Sequence, residues 1–209
     1  MTVKQRNYGL DILRVLCMNM IIILHVAQLG GGTSTHTFSL KWHISWFWFV
    51  ISNCAVDVFA LLSGYVGYGK KHSLKQIVYW CFVAVFYSVT ITLILHIFTD
   101  LNISKKQILK SFIPFIYQYN WYFNAYFVIY FFMPALDKAV EFLSARELKR
   151  LLISMFFIFS LLPTFFQKDL YHTGNGFTPL WLALLYIVGA SLRKLHETPD
   201  ITPPLKKSI

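Results

Sequence analysis

Residues 8–29, YGLDILRVLCMNMIIILHVAQL, decide the fold. A run of roughly 20 mainly apolar residues, at about 1.5 Å per residue, crosses the hydrocarbon core of a bilayer. This one also carries Asp11, Arg14 and His25. Ionisable groups at such depth are costly, so they face a bundle interior or a watery cavity and not lipid. At about 100° per residue, the interval from Arg14 to His25 is three turns plus roughly 20°, which puts both on one face. Their α-carbons are then about 16 Å apart along the axis. Asp11, one turn before Arg14, shares that face. One stripe of one helix therefore presents an acid, a guanidinium and an imidazole.

The rest of the 209 residues fits the same environment. The chain is 56% hydrophobic and 18% aromatic with only 13% charged residues, against about 25% charged for a soluble domain. The net charge of +10 sits in short segments between apolar runs. There it reads as topology signal and as contact with anionic lipid headgroups, which excludes nucleic acid as a partner. Cys17, Cys54 and Cys81 all lie within apolar runs, with no paired spacing. They read as buried free thiols, with no disulfide framework and no metal site. The first apolar run is too long for a cleavable leader and lacks a small-residue cleavage site.

Six apolar segments follow one another at about 8–29, 45–66, 77–98, 121–137, 149–167 and 177–193. The expected fold is an all-α integral membrane protein, a polytopic bundle of about six transmembrane helices in a single domain, because spanning backbone must satisfy its own hydrogen bonds in lipid. With an N-terminus in the cytoplasm, most of the 19 Lys and Arg fall on the inner side, including Lys70, Lys71, Lys75, Arg146, Lys149, Arg150, Arg193 and Lys194. That bias puts both termini in the cytoplasm. Trp42, Trp46 and Trp48 read as interfacial anchors, with sugar stacking as the alternative. Residues 99–120 are expected along the outer interface, apolar side down. Tyr122, Tyr126 and Tyr130, four apart, read as a packing face. Asn124 is placed to bond across helices. Ser144 and Glu147 have the spacing of a capping box. Residues 168–176, KDLYHTGNG, are turn-rich. The tail 196–209 reads as disordered.

Asp57 lies inside the second apolar segment, and Ser63-Gly64 near its cytoplasmic end. A glycine-rich end beside Lys70 and Lys71 is either a simple helix end or a phosphate contact. Chemically, imidazole near neutral pH takes a proton from a hydroxyl or carries an acyl group, while guanidinium suits phosphates and carboxylates. The bland alternative is a buried bridge from Arg14 to Asp11 or Asp57, with His25 a polar residue at the interface.

Three stretches resemble the acyltransferase 3 family of membrane O-acyltransferases. They are LDILR with the later His25, DVFALLSGY at 57–65, and WYFNAYFVIYFFMP at 121–134. The stretch GFTPLWLALLYIVGASLRK, at 176–194, is similar to the late part of polysaccharide acetyltransferases of this family. The resemblance implies transfer of an acyl group, acetyl from acetyl-CoA in the cytoplasm, to a hydroxyl of a cell-surface or extracellular polysaccharide. It implies His25 and Asp57 as catalytic residues, and Arg14, Asp11, Ser63 and Gly64 as contacts of the acyl-CoA. The implied setting is the cell membrane, with lipid, acyl-CoA and a glycan acceptor as partners. Members have more spans than six, so the resemblance also implies that C-terminal helices are lacking here. Two rival readings stand beside it: a small transporter or channel subunit with a polar path, and an inactive truncated remnant.

The charge bias makes a direct prediction. In cells, single cysteines placed in the Gly31–Thr37 loop are labelled by an impermeant thiol reagent from outside, and those at Lys70–Lys75 only from inside. Labelling of both from one side contradicts the six-span topology.

Overall fold

The computed structural model describes residues 7–116 and 121–197. Among the described residues all regular structure is helical and there is no strand. The elements are α1 (Tyr8–Leu29), α2 (Leu40–Gly67), α3 (Leu74–Phe98), α4 (Lys105–Ser111), α5 (Trp121–Phe142), α6 (Ala145–Phe156), a π segment (Phe157–Leu161), α7 (Leu162–Phe166) and α8 (Pro179–Glu197). Contacts divide the chain into two compact units. One holds Met1–Tyr68, Leu143–Ser154 and Leu184–Ile209, and the other holds Gly69–Phe142 and Met155–Ala183.

In the first unit, α1 starts where the Asn7 side chain accepts a hydrogen bond from the Leu10 N–H, at 3.3 Å. A short 3₁₀ turn, Gly32–Ser34, leads into α2. That helix begins at Leu40, a turn earlier than its apolar run suggests, because Ser39 Oγ accepts from the Trp42 N–H. The end of α2 packs against α8 through small residues. A Cβ on Gly64 would run into the Tyr186 carbonyl, and one on Gly189 into the Leu61 carbonyl. Tyr186 and Ala190 are fully buried at this contact. Small-residue contacts of this kind let helix backbones approach closely in lipid, where no hydrophobic force draws helices together. At the same end of α8, Arg193 lies 5.4 Å from the centre of the Tyr65 ring. Lys194 Nζ donates to the Leu143 carbonyl just before α6 at 2.7 Å. The capping box read from Ser144 and Glu147 forms, with Glu147 Oε2 accepting from the Ser144 N–H at 2.8 Å.

The second unit is built on α3 and α5. Of α3 only Ile77 is buried, while Val78, Phe82, Phe86, Ile91 and Ile94 are exposed along its length. A helix apolar on all sides belongs in lipid or in a deeper core. α4 is one short helix with its own capping box, Ser104 with Gln107. The interfacial segment expected at 99–120 is thus only partly helical, and its last four residues lie outside the described ones. Pro134 sits inside α5, which nonetheless continues to Phe142, beyond the expected end at 137. In the expected fifth span, Pro163 cannot donate to the carbonyl four residues back, and its ring crowds that carbonyl. The chain answers by widening to a π segment, in which the Leu162 N–H reaches back five residues to the Phe157 carbonyl.

Among the described residues, four segments are long and apolar enough to cross a membrane: Tyr8–Ser34, Leu40–Gly67, Leu74–Phe98 and Ala145–Phe166. The expected fourth and sixth spans fall short of that measure. α5 carries Asp137, Lys138 and Glu141 in its last turns, and α8 ends in Arg193, Lys194 and Glu197. α8 also takes in His196 and Glu197, the first two residues of the expected tail, while the remainder of that tail lies outside the described residues.

Because the Gly64 and Gly189 contacts are backbone to backbone, neither has room to adjust. Gly64→Val and Gly189→Val should each destabilise the protein by about 1–3 kcal/mol. Gly31→Ala, in open space, is the comparison, although its positive φ of 77° adds a smaller strain. Thermal unfolding in detergent micelles reads the result. Equal midpoints for Gly64→Val and the wild type contradict the packing.

Candidate active site

All six residues singled out in the sequence lie in the first unit. Cys17 is the buried residue of α1 and marks the middle of its packed face. At about 100° per residue, Arg14 and His25 lie about 60° and 80° to one side of it. The stripe therefore forms one border of the helix–helix contact. Arg14 Nη1 donates to Asp11 Oδ1 at 2.8 Å, with the two side chains 41% and 29% exposed. The pair is half-buried, and it uses one of the five guanidinium donors.

His25 is exposed, and its Nδ1 lies 2.8 Å from the Ile21 carbonyl. A carbonyl only accepts, so Nδ1 must carry the proton. In the neutral ring Nε2 then holds the lone pair, the arrangement a general base needs.

Where α1 turns into α2, Gly32 sits against both the Ala27 carbonyl and the Ser45 hydroxyl, so those two residues are level. From there to Arg14 along α1, and to Asp57 along α2, the rise is about 20 Å in both helices. Asp57 therefore stands at the depth of Arg14, half-buried. Ser63 and Gly64 lie further along, toward the level at which α1 begins. The Ser63 hydroxyl donates to the Phe59 carbonyl at 2.9 Å. Gly64 is taken up by its contact with α8. By this rise Asp57 stands near the level of Arg14, with Asp11 about one turn beyond it and His25 about three turns away in the other direction along α1.

The second unit holds groups that the sequence did not flag. Asp137, near the end of α5, accepts from the Gly69 N–H at 3.1 Å, and the same carboxylate oxygen is 3.5 Å from His72 Nε2. Tyr130 Oη accepts from the Ser73 N–H and donates to the Ser73 carbonyl. The loop 69–73, which carries the exposed Lys70 and Lys71, is thereby fastened to α5. Tyr130 also meets the Trp80 ring edge-on, and Tyr122 stacks on Tyr126. Asn124 donates to the Phe115 carbonyl in a loop, not to another helix. Among the described residues, no cluster of His, Cys, Asp and Glu is arranged to hold a metal ion.

The loop 167–178 is organised by Asp169. Its carboxylate accepts from the Thr173 N–H and Oγ, at 2.8 and 2.9 Å, and from the Gly174 N–H at 2.7 Å. Partial burial pushes its pKa up, but these hydrogen bonds outweigh that and hold it below the usual carboxylate range.

Described residues that are all helical in their regular structure, with several apolar helices of membrane-spanning length, are those of a polytopic membrane protein. The acyltransferase 3 family model, an acyltransferase domain, matches residues 7–209. The chain belongs to that family of membrane acyltransferases. No curated protein and no solved structure matches it.

The lowered pKa of Asp169 sets a pH dependence. A depressed carboxylate contributes order above its unfolded pKa of about 3.9 and loses it as pH falls through the lower folded value. Backbone hydrogen exchange over 168–178, corrected for intrinsic rates, should be faster in Asp169→Asn than in the wild type at pH 7. The difference should close as the pH falls through the folded value of this carboxylate. Equal exchange at pH 7 contradicts the role given to this carboxylate.

Proposed function

We propose that the protein moves an acyl group, acetyl from acetyl-CoA, to a hydroxyl of a surface polysaccharide across the cell membrane. In this reading six helices span the bilayer, including α5 and α8, and both termini are cytoplasmic. The observation that carries it is the α1 stripe. It sets a paired guanidinium and an imidazole with Nδ1 committed to a carbonyl about 16 Å apart along one face. In coenzyme A an extended pantetheine arm separates the phosphates from the thioester, and this spacing suits such an arm.

Arg14 holds phosphate oxygens of the donor, with Asp11 orienting it and Asp57 at the same depth balancing its charge. Ser63, toward the same end, offers its hydroxyl oxygen to the donor. Gly64 acts by letting α8 close against α2. His25 Nε2 takes the proton of the acceptor hydroxyl while the oxygen attacks the thioester carbonyl carbon. The tetrahedral intermediate collapses, the C–S bond breaks, and the imidazolium returns its proton to the departing thiolate. The products are the O-acetyl ester and free coenzyme A.

The test is acetyl transfer in cells at matched protein levels. His25→Ala should lower acetylation of the glycan by about 10²-fold or more. Arg14→Lys keeps the charge but loses the planar fork, and should lower it by about tenfold. Asn19→Ala is the control, since Asn19 is exposed, lies off the stripe and bonds only the Val15 carbonyl. Wild-type acetylation with His25→Ala ends the catalytic assignment. Wild-type acetylation with Arg14→Lys makes Arg14 a simple counter-charge.

A further inference from the structure

Backbone strain in this chain is concentrated in one place. Among the described residues four non-glycine positions have positive φ, and three of them, Gln167, His172 and Asn175, lie in the loop 167–178. Gly174 and Gly176 add two more left-handed positions there. Left-handed backbone is costly for residues with a side chain and persists only where surrounding bonds over-determine it, which is commonest at functional sites. Here the Asp169 carboxylate supplies those bonds, and Thr178 Oγ adds one to the Thr173 carbonyl at 2.8 Å.

The result is a defined set of exposed groups. Thr173 is buried beneath the loop, whereas His172 and Asn175 are exposed on it. Phe177, at its end, is 55% exposed, and its ring meets Trp121 at 4.8 Å between centroids and 67° between planes. Gly176 packs beside the Trp181 indole. An aromatic ring backed by a second ring, with an amide and an imidazole alongside, is chemically mixed. A lipid anchor needs only an aromatic group at the right depth and gains nothing from a fixed backbone. Lys168 is the one Lys or Arg of the loop, and the exposed set of His172, Asn175 and Phe177 carries no fixed charge, so it does not suit a phosphate headgroup. It suits a neutral ring with one face of C–H bonds and a rim of hydroxyls: the C–H face stacks on an aromatic ring, and hydroxyls bond the amide and imidazole.

We propose that the loop 167–178 with Trp121 is the acceptor-binding surface and takes a neutral sugar ring of the glycan. The ring lies on Phe177 and Trp121, and its hydroxyls reach Asn175 and His172. This rests on the proposed function for the identity of the acceptor, but binding can be measured without transfer.

The probe is the host cell's own surface polysaccharide, stripped of acyl groups with alkali and cut to oligosaccharides. Binding to the full chain in micelles is followed by intrinsic tryptophan fluorescence. Phe177→Leu keeps an apolar side chain and removes the ring, and Asn175→Gly keeps the left-handed backbone and removes the amide. Each should weaken binding about five- to tenfold. Phe177→Trp should restore it, and Asn19→Ala, exposed and off the α1 stripe, should bind like the wild type. Thermal midpoints matched to the wild type exclude unfolding as the cause. No binding by the wild type overturns the inference, as does binding unchanged in Phe177→Leu and Asn175→Gly. Binding lost in those variants supports it even if acetyl transfer itself proves absent, so the two readings fail separately.

Discussion

A guanidinium cannot be neutralised by losing its proton, so a helix that carries one at membrane depth must arrange the surroundings to suit it. Arg14 sets that demand. Asp11 answers part of it from one turn away, with a single contact of 2.8 Å, and Asp57 stands at the same depth on α2. Neither Arg14 nor Asp11 is sealed in. A half-exposed pair of this sort contributes little to stability. Its value lies in holding a charged fork at a fixed height while four of its five donors remain for something else.

The packing around that pair supports this economy. α2 and α8 meet through Gly64 and Gly189, where backbone touches backbone, and the polar ends of α6 and α8 are tied by Lys194 and the Leu143 carbonyl. In lipid such contacts replace the hydrophobic drive that packs soluble helices. The second unit follows different logic. There Asp137 and Tyr130 fasten a lysine-bearing loop, and Asp169 fastens a strained one. Both devices spend buried or half-buried polar groups on loop backbone.

Periodic features were the legible ones. The Arg14–His25 stripe follows from about 100° per residue, and α1 has the boundaries its apolar run dictates. The Ser144 and Glu147 box was legible because it is local. The same holds for the Tyr122 and Tyr126 stack. What the sequence hid was mostly long-range or a response to a missing donor. Asp137 bonds Gly69, 68 residues away, and no spacing rule reaches that far. The π segment at Phe157–Leu161 is the backbone's answer to Pro163, which a hydropathy reading passes over. The early start of α2 was available from Ser39 as a cap, but the polar loop before it masked the signal. In the loop 167–178 the turn residues were visible, whereas the carboxylate that organises them was not. Gly64 was read as a possible phosphate contact, and its neighbours on α8 give it a packing role that composition does not reveal.

The central claim is that one helix carries an acyl donor site at one depth and a proton acceptor nearer the opposite face. Sided vesicles test it most directly. The protein is reconstituted so that the start of α1 faces outward, deacylated surface oligosaccharide is sealed in the lumen, and acetyl-labelled acetyl-CoA is added outside. The account predicts labelled ester on the enclosed oligosaccharide, and none when, in vesicles of that same orientation, the donor is sealed inside and the acceptor is outside. Label appearing only when donor and acceptor share one compartment would contradict it.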